Sequence, residues 1–118
     1  KKLVMPLPFH IKTIKEGDGK TYPRTGQFIA CHYTGYLKGS TLKKFDSSLD
    51  RNKPFIFQVG VGQVIKGWDK SILKMSLGER AQVTIRPEYA YGEYGAPPTI
   101  PPNATLVFVI DLLKIFIQ

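Results

Sequence analysis

One cysteine and two histidines are the only thiol and imidazole groups in this chain of 118 residues. Cys31 has no partner for an internal disulfide, and neither His10 nor His32 stands at metal-ligand spacing from another such residue, which argues against a disulfide scaffold and a zinc centre alike. Between apolar neighbours, Cys31 reads as a small buried hydrophobe in a reducing compartment, cytoplasmic or nuclear. Long apolar runs are missing too. The longest, Leu106 to Ile110, falls far short of the roughly 20 residues that a membrane-spanning helix needs. Acids are scarce: nine Asp and Glu face seventeen Lys and Arg, for a formal charge of +8. The cations are nevertheless scattered (Lys12, Lys15, Lys38, Lys43, Lys66, Lys74, Arg86, Lys114) and form no dense block. That distribution fits a solvated positive surface better than a nucleic-acid face.

Several catalytic signatures are absent. There is no G-x-S-x-G turn to present a serine nucleophile. Gly60-Val61-Gly62 precedes a helix as phosphate loops do, but neither G-x-G-x-x-G nor G-x-x-x-x-G-K-[ST] is matched, so no cofactor is expected. Asn103-Ala104-Thr105 satisfies a glycosylation sequon too short to carry weight outside secretion. His32 fits a satisfied structural histidine better than a general base.

What the chain does have is alternation. Phe9 to Lys15 alternates apolar and polar residues before the turn cluster Gly17-Asp18-Gly19. Phe28 to Tyr33 is rich in β-formers, Lys44 to Ser48 reads as the bulged return of a hairpin, and Phe55 to Val59 is a short strand closed by glycines. From Val64 to Ser76 the period shifts: Trp68, Ile72 and Met75 fall at i, i+4 and i+7, with Asp69, Lys70 and Lys74 opposite, and Gly78 stands where a C-cap belongs. Arg80 to Arg86 alternates cleanly, Ala81, Val83 and Ile85 inward. Thr105 to Ile115 is a nearly continuous apolar run suited to a central strand.

Between them, Pro87 to Asn103 holds five prolines and three tyrosines, too many breakers for regular structure and too many aromatics for an idle linker. The expected fold is α+β: an antiparallel sheet of about five strands curled around one short α-helix. Residues 9–118 make up the domain, and 1–8 form a flexible arm.

Aromatics stand near every break in the sheet while acid/base machinery is almost missing, which suggests a pocket without a nucleophile. Five segments then combine: His32-Tyr33-Thr34-Gly35, Lys44-Phe45-Asp46-Ser47-Ser48, Val64-Ile65-Lys66-Gly67-Trp68, Tyr89-Ala90-Tyr91-Gly92 and Ile100-Pro101-Pro102-Asn103-Ala104-Thr105-Leu106-Val107-Phe108. Together and in this order, from about Ile14 to Lys114, they resemble the FKBP family of immunophilins.

The resemblance implies a monomeric peptidyl-prolyl cis/trans isomerase that assists protein folding. A non-catalytic FKBP-like module that regulates a partner is the alternative. Carried over by position, Trp68 is the pocket floor, Tyr33, Phe45, Phe55, Val64, Ile65 and Phe108 are its walls, and Gln63 is a further ligand-binding residue. Asp46 and Tyr91 are the polar groups at its mouth, Asp46 pairs with Arg51 or accepts a ligand hydroxyl, the Ile65 N–H holds a ligand carbonyl, and Ile100 closes over the prolyl ring. Phe45, Asp46, Trp68, Tyr91 and Phe108 are the expected catalytic set.

The implied ligands are prolyl segments and the macrolides tacrolimus and rapamycin, with calcineurin or the TOR kinase as ternary partners. Departures from the family pattern are confined to the rim and loops: Ala96 for a common histidine, Thr99 for an aliphatic residue, Gln63 for a glutamate, and two extra residues between Lys38 and Leu42.

Overall fold

The computed structural model describes residues 7–117. Six strands, β1 (Phe9–Lys15), β2 (Phe28–Lys38), β3 (Leu42–Ser47), β4 (Phe55–Gln58), β5 (Arg80–Ile85) and β6 (Leu106–Ile115), form one antiparallel sheet, with the helix α1 (Lys66–Ile72) between β4 and β5. The order is β1-β5-β6-β2-β3, and β4 also pairs with β2. The expected count of about five becomes six because one long strand has two short neighbours on one edge. Phe28 to Cys31 of β2 pair with β4, whereas Thr34 to Lys38 pair with β3. Of the arm, only Leu7 and Pro8 lie within the described residues. Leu7 is exposed, and the Pro8 carbonyl accepts the Arg86 N–H at 2.9 Å.

β6 is central, as its apolar run predicts, and buries Leu106, Phe108, Ile110 and Leu112 on one face. β5 buries Ala81, Val83 and Ile85 in the register its alternation predicts. The helix lies against this concave face, with Trp68 and Ile72 in the core beside Ile29, Val83 and Ile85.

The helix is shorter than its apolar period suggests, ending at Ile72 instead of Ser76. Beyond it, the Lys74 and Met75 N–H groups turn back to the Ser71 and Ile72 carbonyls at 3.0 and 3.1 Å. The next two donors are claimed from outside: the buried Glu79 carboxylate accepts the Ser76 N–H at 3.0 Å, and the Thr21 carbonyl accepts that of Leu77 at 2.8 Å. Met75 keeps its predicted burial through this turn. Gly78 is left-handed (φ 89°) but lies well past the helix, where its N–H bonds the Leu112 carbonyl and leads into β5.

A second correction concerns Asp69. Expected on the solvent side, it is 9% exposed, and its two oxygens accept the N–H groups of Gly60 (2.8 Å) and Gly62 (2.9 Å). Those glycines sit at φ 81° and 83°, where a side chain is strained, and the turn aims both donors at one carboxylate. The segment from Pro87 to Asn103 contains more order than its prolines suggest: a 3₁₀ turn at Pro87–Tyr89 and a two-way backbone bridge between Ala96 and Ile100.

Candidate functional site

A cavity of about 220 Å³ opens between the concave sheet and the helix. β2 contributes Tyr33, β3 Phe45 and Asp46, β4 Phe55 and β6 Phe108. Gln63, Val64 and Ile65 enter from the turn that Asp69 holds, Trp68 from the helix, and Tyr91 from the proline-rich loop. Ten of the predicted site residues thus line one cavity.

Trp68, 4% exposed, forms the base. Its ring centroid lies 5.0 Å from Tyr33 at 85°, 5.3 Å from Phe108 at 90° and 5.9 Å from Phe55 at 75°. Such edge-to-face packing adds roughly 0.5–1.5 kcal/mol per pair beyond burial and fixes the walls without filling the space between them.

Phe45 reaches the wall through a bulge. Gly35 opposes Asp46 and Tyr36 opposes Lys44, so Phe45 is the extra residue. Such an insertion re-aims a side chain, and the Phe45 ring meets Phe108 at 5.8 Å and 80°. Gly35 makes this possible: a Cβ there would lie 2.8 Å from both the Phe45 and the Phe108 ring.

The mouth is polar on one side. Asp46 accepts the Tyr33 hydroxyl at 2.5 Å and Arg51 Nη1 at 2.6 Å, while Arg51 Nη2 donates to the Tyr33 oxygen at 2.9 Å. Burial opposes ionisation of Asp46, but the bonds from Tyr33 and Arg51 outweigh it and hold the carboxyl below its ordinary range. Burial and the Asp46 bond raise the Tyr33 phenol. Burial, then the Asp46 charge, raises Tyr91. A carboxylate so engaged is a poor general base. Tyr91 is 42% exposed, and its hydroxyl has no hydrogen-bond partner among the described residues.

Ser48 supports Tyr33 from behind. It is fully buried, its Oγ accepts the Tyr33 N–H at 2.8 Å and lies 2.8 Å from His32 Nδ1, and its N–H donates to the Tyr33 carbonyl at 3.0 Å. His32 is therefore a structural residue outside the cavity. Among the described residues no three His, Cys, Asp or Glu side chains gather at one point.

Two predicted residues stand apart from the wall. Arg51 reaches the site only through Asp46 and Tyr33. Ile100 is 4% exposed because its bridge to Ala96 turns it into the core. Sequence reading missed three contributors: Ser48, Gly35 and Asp69. Asp69 had a usable signal, a carboxylate early in the helix that follows two closely spaced glycines, seven residues after the second of them. The bulge itself was expected in the return strand, but nothing in the sequence tied it to the small residue it needs at Gly35.

The chain is similar to a set of known proteins of one family. The family model for FKBP-type peptidyl-prolyl cis-trans isomerase matches residues 19–113. FK506-binding protein 1 of Rhizopus delemar is 53% identical over 105 residues, spanning 89% of this chain and 95% of the relative. Peptidyl-prolyl cis-trans isomerase Fkbp12 of Drosophila melanogaster is 54% identical over 102 residues, or 86% and 93% of the two chains. FK506-binding protein 1 of Saccharomyces cerevisiae is 55% identical over 105 residues, or 89% and 90%.

Proposed function

This chain belongs to the FKBP-type peptidyl-prolyl cis-trans isomerase family and isomerises X-Pro bonds, and we propose that the cavity floored by Trp68 is where the bond turns. The observation behind this assignment is a cavity walled by aromatic rings whose one carboxylate is already committed to Tyr33 and Arg51. Rotation about the X-Pro amide has a barrier of about 18–20 kcal/mol because the perpendicular state loses resonance. No covalent bond is exchanged, so no nucleophile is required.

The twisted amide has a less polar carbonyl and a more pyramidal nitrogen than the planar, hydrated ground state. An apolar slot therefore binds it better, and that difference is what accelerates the reaction. Each 1.36 kcal/mol taken off the barrier is worth about tenfold, so 5–8 kcal/mol, on the order of four to six decades, is within reach of burial plus one or two hydrogen bonds. Phe45, Trp68 and Phe108 supply the walls in this scheme. The Tyr91 hydroxyl and the Ile65 N–H meet the substrate carbonyls. Asp46 orients the mouth with Tyr33 and Arg51.

The same cavity binds macrolides, and tacrolimus and rapamycin are the ligands to try. Calcineurin and the TOR kinase are the corresponding candidates for ternary partners. Cys31, a free buried thiol, suits a reducing compartment such as the cytoplasm.

Isomerisation of a Leu-Pro peptide, followed by protease coupling or NMR exchange for the wild type and Asp46→Val, tests the assignment. Turnover that rapamycin suppresses and the substitution lowers supports it. Turnover indifferent to saturating rapamycin places the chemistry elsewhere, and rapamycin binding without any turnover leaves a prolyl-binding module.

A further inference from the structure

A second depression, a groove of about 410 Å³, adjoins the cavity and is lined by Arg51, Lys53, Pro54, Phe55 and Ile56. Two of these residues also belong to the mouth already described: Phe55 is a wall of the cavity, and the Arg51 guanidinium is bonded to Asp46 and Tyr33. The groove is thus a continuation of the same surface, separated from the prolyl cavity by one aromatic ring.

Its charge is one-sided. The neighbouring carboxylates are both committed, Asp46 to Arg51 at 2.6 Å and Asp50 to Lys44 at 2.9 Å. Lys53 is exposed and has no ion-pair partner among the described residues. The turn that carries it is fixed, since the Ser48 carbonyl accepts the N–H groups of both Arg51 (3.2 Å) and Lys53 (3.4 Å). Ile56, 55% exposed, supplies an apolar floor beside the cation.

Resting on the isomerase reading of the cavity, we propose that this groove selects clients: it receives an acidic side chain of the substrate, two or three residues from the proline on the side that leaves over Phe55. An extended chain advances about 3.3–3.6 Å per residue, so two or three residues carry it past one ring. Lys53 meets the carboxylate while the methylenes of the acidic side chain lie along Pro54 and Ile56. The residue directly before the proline stays apolar, because it lies within the aromatic mouth. The selectivity acts on encounter and binding, as rim charges do, so it resides in KM and weakens with salt.

The test uses Leu-Pro peptides carrying Gln at every flanking position, replaced one at a time by Glu or Lys at the second and third positions on either side of the proline. At low salt the wild type is expected to favour Glu over Gln at one of these positions by about two- to fivefold in kcat/KM, the size of a single exposed ion pair. Lys53→Gln should abolish this preference, and Lys53→Glu should invert it toward Lys at the same position. Roughly 0.5 M salt should erase both. Equal rates for Glu and Gln at every position overturn the proposal, as does a Glu preference that survives Lys53→Gln. Failure of the wild type to turn over even the all-Gln peptide would instead sink the isomerase reading of the cavity.

Discussion

Removing the Asp69 carboxylate should loosen one whole side of the prolyl cavity. Its two oxygens hold the Gly60 and Gly62 N–H groups at 2.8 and 2.9 Å, and the turn so fixed leads directly into Gln63, Val64 and Ile65 on the cavity wall. A hydrogen bond to a charged acceptor is worth about 1.5–3 kcal/mol. Two give about 3–6 kcal/mol, and the lower end applies where water reaches the released donors.

Asp69→Ala is therefore expected to cost about 3 kcal/mol, a large share of the 5–15 kcal/mol typical of a whole domain. At roughly 3–5 °C per kcal/mol for a chain of this length, Tm falls by about 10–15 °C. Asp69→Asn keeps one acceptor and turns an N–H₂ toward the other donor, so about half of the loss, near 1.5 kcal/mol, should remain. Urea unfolding measures the free energies, and amide hydrogen exchange at Gly60 and Gly62 localises them, since both protons should exchange faster in each variant. If Asp69→Ala unfolds within 0.5 kcal/mol of the wild type, or the two glycine amides keep their protection, this account of the turn is wrong.

Gly35→Ala should cost about 1–3 kcal/mol and lower kcat/KM by more than the stability loss explains, because the added methyl displaces the Phe45 and Phe108 rings; unfolding and peptide turnover on one sample separate the two effects. Asp46→Asn is expected to reduce kcat/KM by about tenfold, the value of one charge-assisted bond at the mouth; an unchanged rate would remove Asp46 from the working set. The Asp46 carboxyl, followed by NMR, should titrate below its ordinary value. Because its folded-state pKa is lowered, the stability it contributes is present above the unfolded pKa of about 4 and is lost as pH falls through the folded value. Tyr33→Phe should move that titration upward, and no movement would show that the phenol does not hold the charge.

The sequence made the strands legible wherever one physical pattern acted alone. Arg80 to Ile85 alternates because one face is wet, and Leu106 to Ile110 is continuous in a strand that runs between β5 and β2, with Val107 buried as well as its inward-facing neighbours. The helix was half legible: its apolar period persists to Met75, but periodicity cannot see that Glu79 and Thr21 claim the donors that would extend it. Asp69 misled because a carboxylate in a helix is usually solvated, and only the positions of Gly60 and Gly62 reveal its second use. Most of the cavity lining stands in or beside the motifs. The burial of Ile100 was not legible, since it depends on a bridge to Ala96 across a loop of prolines.

The chain's one tryptophan lies at the base of the prolyl cavity, 5.0 Å from a tyrosine ring and shielded from water. Its emission is therefore an optical reporter of the cavity without a label. Occupancy alters the indole's surroundings directly, and transfer of excitation to Trp68 from the nearby Tyr33 weakens as the two rings separate. One spectrum of the unmodified protein thus reads both whether the cavity is filled and whether its walls are intact.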